Sequence, residues 1–316
     1  MSDTAFSIVF PGQGSQSVGM LKALADDFSL VGDTFTEASD ALGFDLWKLV
    51  LEGPKETLNQ TQNTQPAMLA AGVAVWRVWR VWQAQGGTAP SVMAGHSLGE
   101  YSALVCAGAL GFSDAVSLVA KRGMFMQEAV PEGTGAMAAI LGLDDDKVRD
   151  VCAAAAESQV VEAVNFNSPG QVVIAGSKAA VDRACGLAKE AGAKRALPLP
   201  VSVPSHCALM KPAAERLAEQ LQDIAIEMPS IPVLHNVDVA VAADTGAIRA
   251  RLAEQLHNPV RWVETIQSIS ERGIDKIVEA GPGKVLTGLN KRIDRKLTGF
   301  AVLDSDTLNA ALEALK

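Results

Sequence analysis

The residues best suited to chemistry fall in one short stretch, Gly95-His96-Ser97-Leu98-Gly99. A serine flanked by glycines two places away on each side fits a sharp turn between a strand and a helix. Small neighbours relieve the cramped backbone there, and the turn lifts the Ser97 hydroxyl over the end of the sheet. The helix that follows aims its first N–H groups at the same spot, where charge forming on a substrate carbonyl would be stabilised. A plain glycine turn opening a helix would carry the same letters. The strand expected before it and the helix expected after it favour a nucleophile.

A serine hydroxyl attacks only with a base beside it. The chain offers four histidines: His96, His206, His235 and His257. His96 neighbours Ser97, so on a tight turn its ring points elsewhere. His257 lies beside a helix end. His235 ends an apolar strand and reads equally as structural or functional. His206 stands in LPVSVPSHCALM at a strand-to-helix junction, where a base could reach the elbow. Position alone leaves His206 and His235 both open. No Asp or Glu between the serine and His206 stands out as a third member. This departs from a hydrolase triad and suggests a dyad held by another group. Cys207, next to His206, reads as core rather than as a rival nucleophile. The second glycine loop, PGQGSQ at 11–16, lacks the Lys-Ser/Thr of a phosphate loop and the spacing of a dinucleotide fingerprint. It is either a plain turn or a second donor of backbone N–H groups to an oxyanion.

The elements that must carry these residues alternate. Residues 6–10 and 91–94 read as short buried strands, 64–85 and 98–109 as helices, and 114–129 as a helix capped by Ser113. Val116, Val119, Ala120 and Gly123 mark its inner face, with Arg122 at the border. Trp76, Trp79 and Trp82 are three apart, which fits a face packed on the core better than an aromatic binding stripe. From 135 to 199 the order becomes strand 135–142, helix 144–157, strands 160–165 and 171–175, a helix capped by Ser177 running to 191, and strand 194–199. That βαββαβ order is ferredoxin-like. The expected fold is therefore α/β. A hydrolase-like large domain with a parallel sheet, residues 1–130 and 201–316, carries an inserted ferredoxin-like subdomain at 131–200. Candidate strands 231–235, 274–279 and 299–303 complete the large sheet, and Asn258-Pro259 separates two helices.

Composition narrows the function classes. Apolar residues make up 48% of the 316, enough for a sizeable core. The net charge of −9 argues against a nucleic-acid surface, so an anionic substrate must be met by local cations. Four cysteines without a paired spacing argue against a disulfide framework or a zinc site. The N-terminus lacks the features of a signal peptide, and AMLAAGVAVW is too short to span a bilayer. A cytoplasmic chain is expected.

Taken together, FPGQGSQ (10–16), TQPAM (64–68), GHSLGEYSAL (95–104), KRG (121–123), SPGQVVIAG (168–176), VPSHCALM (203–210), NPVRW (258–262) and EAGPGKVLTGL (279–289) resemble the malonyl-CoA:acyl carrier protein transacylase family. They occur in the family's order and cover nearly the whole chain. The resemblance implies a malonyl-serine at Ser97 and a base at His206, oriented by the backbone carbonyl of Gln255, which would account for the missing acid. It implies an oxyanion hole from the N–H groups of Gln13 and Leu98, and Arg122 as the partner of the malonyl carboxylate. A guanidinium matches a carboxylate with two parallel donors, although an arginine on a helix is more often a surface ion pair. The implied substrates are a coenzyme A thioester and acyl carrier protein, with no metal or redox cofactor and a monomeric enzyme. Carrier proteins are acidic, so NKRIDRK at 290–296 supplies candidate docking cations: Lys291, Arg292, Arg295 and Lys296. A solvated helix face would look the same. A serine hydrolase and a non-catalytic carrier-docking protein are the competing readings.

Overall fold

The computed structural model describes residues 5–84, 87–201 and 203–316. Residues 1–4, the start of the segment 1–10 that lacks signal-peptide features, lie outside the described residues. So do Gln85, the expected end of helix 64–85, and Ser202 of the LPVSVPSHCALM segment. Among the described residues nine strands form two sheets: β1 (Phe6–Phe10), β2 (Val92–Gly95), β3 (Gly135–Leu141), β4 (Val161–Ser168), β5 (Gln171–Ser177), β6 (Arg195–Pro198), β7 (Val233–Leu234), β8 (Lys276–Ala280) and β9 (Thr298–Val302).

The larger sheet is parallel throughout, in the order β7-β2-β1-β8-β9. Its central strand shows why it forms. β1 reads FSIVF and is buried along its whole length, as a strand covered on both faces must be. The two-residue period sends Phe6, Ile8 and Phe10 into one apolar cluster and Val9 into another with Val92, Ala94, Leu234 and Trp262. β7 is shorter than the expected 231–235. It sits at the sheet edge, and Pro232, with no N–H to give, precedes it.

The helix expected at 64–85 runs Thr61–Gln83 and is buried on almost every side from Thr64 to Val75. Trp79 packs on Phe6 with ring centres 5.7 Å apart, and Trp76 is also buried, so the tryptophans serve the core as read. The helix expected at 98–109 is Gly99–Cys106. The next is Phe112–Ala129, with Gly111 and not Ser113 at its N-cap; the Ser113 hydroxyl faces Glu37 instead. Ser177 does sit at the N-cap of helix Lys178–Glu190, but its side chain makes no capping bond.

The second sheet is antiparallel, in the order β4-β5-β3-β6, with helices Asp145–Ala156 and Lys178–Glu190 interleaved along the chain. It has its own core of Ile140, Val148, Phe166, Val172, Ile174 and neighbours. β4 carries two register shifts, at Ala163/Asn165 and Phe166/Ser168. Between them it reaches across to the parallel frame: Val260 N–H donates to Val164 O at 2.8 Å and Phe166 N–H to Val260 O at 3.0 Å. Bulges of this kind re-aim side chains, and here they bring Asn165 and Asn167 to the seam between the sheets.

Candidate active site

The Gly95–Gly99 turn is as tight as its letters suggest. A Cβ on Gly95 would overlap the carbonyl carbon of Gly99, and one on Gly99 would overlap Phe10 O. No larger residue fits either place. Ser97, between them, is left-handed at φ 51°. A non-glycine residue held there stores strain, and such strain collects at functional sites. The helix Gly99–Cys106 then starts under the hydroxyl.

Ser97 Oγ lies 2.7 Å from His206 Nε2. His206 is itself left-handed at φ 68°, is buried, and its N–H donates to Leu256 O. Its Nδ1 lies 2.7 Å from Gln255 O. A carbonyl can only accept, so the proton is on Nδ1 and Nε2 is free to take one from the serine. Burial, and next the positive charge of Arg122, push the His206 pKa down to about 3. The ring is neutral at physiological pH and ready to accept a proton.

Arg122 is 2% exposed, within the buried face of its helix rather than at the border of that face as the helical pattern alone indicates. Gly123 lets the helix Phe112–Ala129 press against Gln62 of the helix Thr61–Gln83, and that contact encloses its neighbour. Arg122 donates to Gln65 Oε1 at 2.8 Å and to Gln255 Oε1 at 3.0 Å, and its Nε has no partner. Among the described residues no carboxylate forms an ion pair with it. Burial lowers its pKa, while Tyr101 and Glu100 oppose the shift. A buried guanidinium satisfied only by neutral oxygens favours an anion beside it.

Gln13, Ser97, Leu98, Arg122 and His206 line one cleft of about 100 Å³. Its apolar wall comes from Met126, Met137, Leu199 and Val201, so both sheets contribute. The loop carrying Gln13 presses on the elbow: a Cβ on Gly12 would stand 2.5 Å from His96 O. Among the described residues the backbone N–H groups of Gln13 and Leu98 donate to no protein acceptor, which leaves them for a ligand oxygen.

The remaining histidines fall elsewhere. His96 turns away from its neighbour, with Nε2 2.8 Å from Asn167 Oδ1 and its ring against Trp262. His235 is buried, with Nδ1 2.8 Å from Glu100 Oε1. His257 borders a separate groove between helices. Cys207 is fully buried, and burial pushes its thiol up to about 12.

Lys291, Arg292, Arg295 and Lys296 are exposed but are not brought to the cleft. The helix Val285–Ile293 leaves the C-terminal end of β8 and runs back to the start of β9. The cations therefore lie at the N-terminal end of the parallel strands, opposite the C-terminal end where Ser97 stands. Lys291 is spent on Arg295 O and Leu297 O, and Arg292 on Gln171 Oε1.

Sequence reasoning missed Gln65, which holds Arg122, together with Glu100 and Asn236 behind the elbow. Gln65 and Glu100 sit inside quoted motifs, but nothing local marks them as polar groups bonded across the core.

Among the described residues no cluster of His, Cys, Asp and Glu could hold a metal, and no helix is long and apolar enough to cross a membrane. The acyl transferase domain model matches residues 7–298. The malonyl CoA-acyl carrier protein transacylase of Escherichia coli K12 is 60% identical over 310 residues, 98% of this chain and 99% of that one. The Bacillus subtilis protein of the same name is 47% identical, covering 100% and 98%. An acyl carrier protein S-malonyltransferase of Vibrio cholerae superposes with a TM-score of 0.94 at 60% identity, covering 97% and 99%. A malonyl-transacylase solved in complex with its type II PKS acyl-carrier protein superposes at 0.96 and 59% identity, covering 98% and 100%. With a paired serine and histidine, a buried unneutralised arginine and likeness over almost its full length, this chain belongs to the malonyl CoA-acyl carrier protein transacylase family of acyl transferases.

Proposed function

We propose that the chain transfers a malonyl group from malonyl-CoA to the phosphopantetheine thiol of acyl carrier protein through a malonyl-Ser97 intermediate, supplying extender units for fatty acid synthesis. The observation that carries this reading is Arg122: a buried cation without a carboxylate, lining the same cleft as the nucleophile. An acyl group ending in a carboxylate answers that cation. A neutral acetyl group would leave it unpaired in a dry site, so one residue both attracts and excludes.

His206 Nε2 takes the proton of Ser97 Oγ as the oxygen attacks the thioester carbonyl. The resulting oxyanion is held by the N–H groups of Gln13 and Leu98. The tetrahedral centre collapses, the carbon–sulfur bond breaks, and His206 returns the proton to the departing coenzyme A sulfur. The carrier thiol then gives its proton to His206, attacks the malonyl ester, and Ser97 recovers the proton as it leaves. Each half-reaction balances without metal or redox chemistry. Gln255 orients the base through its backbone carbonyl, in the place a hydrolase gives to an acid.

The two units of the fold fit a hydrolase-like frame (1–130 and 201–316) carrying a ferredoxin-like insertion (131–200), with the substrate between them. Four free cysteines fit a reducing cytoplasm, and the enzyme is read as a monomer.

Intact-protein mass spectrometry after mixing with malonyl-CoA tests the reading. A malonyl adduct is expected that requires Ser97, is absent in Ser97→Ala, forms poorly from acetyl-CoA and clears on adding holo carrier protein. Steady release of coenzyme A into water without carrier, or no adduct and no release, would sink it.

A further inference from the structure

The site lacks an acid beside its histidine, yet a fully buried carboxylate stands one residue removed from it. Glu100 lies in the first turn of the elbow helix and is 0% exposed. It accepts three bonds: from Asn236 N–H at 2.8 Å, from Gln255 Nε2 at 2.9 Å, and from His235 Nδ1 at 2.8 Å. Each partner but His235 goes on to the reacting groups. Asn236 clasps the elbow with both ends of its amide: its Oδ1 accepts the Ser97 N–H at 2.7 Å and its Nδ2 donates to Gly95 O at 2.7 Å. Gln255 reaches three ways. Its Nε2 also lies 3.1 Å from Ser97 O, its Oε1 accepts from Arg122, and its backbone carbonyl accepts from His206 Nδ1.

We infer that Glu100 is the acid of this site acting at one remove, a positioning residue that fixes the nucleophile through Asn236 and the base through the side chain of Gln255. The physical need is plain on both arms. Ser97 holds a left-handed backbone that a serine does not choose, and its own N–H and the C=O of Gly95 are gripped by one amide. His206 is aimed by a backbone carbonyl, which stays in place only if the residue carrying it cannot turn. A side-chain amide would not replace Glu100, because its NH₂ can only donate, leaving one acceptor oxygen for three donors.

This inference rests on the reading of Ser97 as the nucleophile, and its test must separate the two. A fluorophosphonate probe reports the reactivity of Ser97 with no malonyl group involved. Malonyl-CoA kinetics then report substrate capture, which passes through Arg122, a residue Asn236 does not touch. In Asn236→Ala the rate of Ser97 phosphonylation and the kcat of malonyl transfer should fall together, by on the order of tenfold to a hundredfold, the cost of a misplaced reacting group. The KM for malonyl-CoA should stay within about threefold, since ground-state binding is spared. Asn236→Asp keeps the acceptor for Ser97 N–H and loses the donor to Gly95 O, so it should recover part of the rate. Glu100→Gln should lose more than Asn236→Ala, because both arms slacken.

Melting curves and circular dichroism fix the folded fraction to which each rate is normalised, and if Glu100→Gln does not fold, the two Asn236 variants carry the test. Phosphonylation at the wild-type rate in folded Asn236→Ala would overturn the inference, as would a rise in KM with kcat unchanged. A wild-type protein that is phosphonylated at Ser97 but takes no malonyl group would remove the substrate reading and leave the positioning network standing.

Discussion

Positive charge is used in two opposite ways in this molecule. In the cleft, one guanidinium is 2% exposed, held by two neutral amide oxygens, and lines the same cavity as Ser97. At the far end of the parallel strands, four cations within six residues are exposed to solvent, and two are bonded to carbonyl and amide oxygens. Counting charges along the chain ranks the second region above the first. Burial reverses the ranking, because an interaction at a desolvated site is stronger by the ratio of effective dielectrics while one at the surface is screened by water and salt. A protein of net charge −9 can therefore recognise an anion with a single well-placed arginine.

The largest effect expected from breaking that asymmetry is on the buried side. Arg122→Ala should lower kcat/KM for malonyl-CoA by roughly a hundredfold to a thousandfold, the range for losing one partner of a buried charge pair. Acetyl transfer should persist or improve, since the unpaired cation is gone. Selectivity between the two thioesters, measured side by side, decides it: an unchanged ratio removes the assigned role. Arg122→Lys keeps the charge but loses the planar fork and its reach to Gln65 and Gln255. It should fall between, at about tenfold to a hundredfold below wild type.

A subtler consequence concerns the base. His206 acts only when neutral, and its pKa is pushed down to about 3 by burial and then by Arg122. The acid limb of kcat/KM should therefore lie well below the ordinary histidine value of 6.5. Removing Arg122 removes a repulsion of the imidazolium, so in Arg122→Ala the limb should move to higher pH when acetyl transfer is followed in both proteins. A limb that stays put would mean the guanidinium does not feel the ring. The same depression makes the unfolded chain bind the extra proton between pH 6.5 and 3, so this group's contribution to folding stability is lost as pH falls through that window.

The contrast between regions also separates what was legible in the sequence from what was not. The GHSLG elbow was legible because its glycines answer a local demand: a Cβ at either position collides with backbone a few residues away or on the adjacent strand. The alternation of strands was legible for a similar reason, since β1 declares its double burial in five letters. The periodicity puts Arg122 only at the border of the inner face because its full burial comes from Gly123 meeting a helix some sixty residues earlier, a contact no periodicity encodes. Ser113 is not the cap because capping letters mark a tendency, and the helix begins two residues before the expected 114, at Phe112, whose side chain it buries. The links from Glu100 to Asn236 and Gln255 span more than a hundred residues and join polar side chains inside a core, which single-sequence patterns treat as errors rather than as design.

The smallest effect should come from the exposed side, where the docking candidates can be reduced to the two cations that make no side-chain bond among the described residues, Arg295 and Lys296. They lie beyond the helix Val285–Ile293, at the end of the parallel strands away from Ser97, and a carrier thiol that reaches Ser97 enters at the cleft. A carrier bound with its arm in the cleft feels these charges only through water, where exposed pairs contribute about 0.2–1 kcal/mol. The double reversal Arg295→Glu with Lys296→Glu should therefore raise the KM for carrier protein by no more than about fivefold at low salt. Malonylation of Ser97 by malonyl-CoA should be untouched. Repeating the measurement across salt concentrations distinguishes the cases: a distant field gives a shallow slope in both proteins, whereas a steep wild-type slope abolished by the reversal would mean that the carrier lies at this end of the strands and reaches the nucleophile from there.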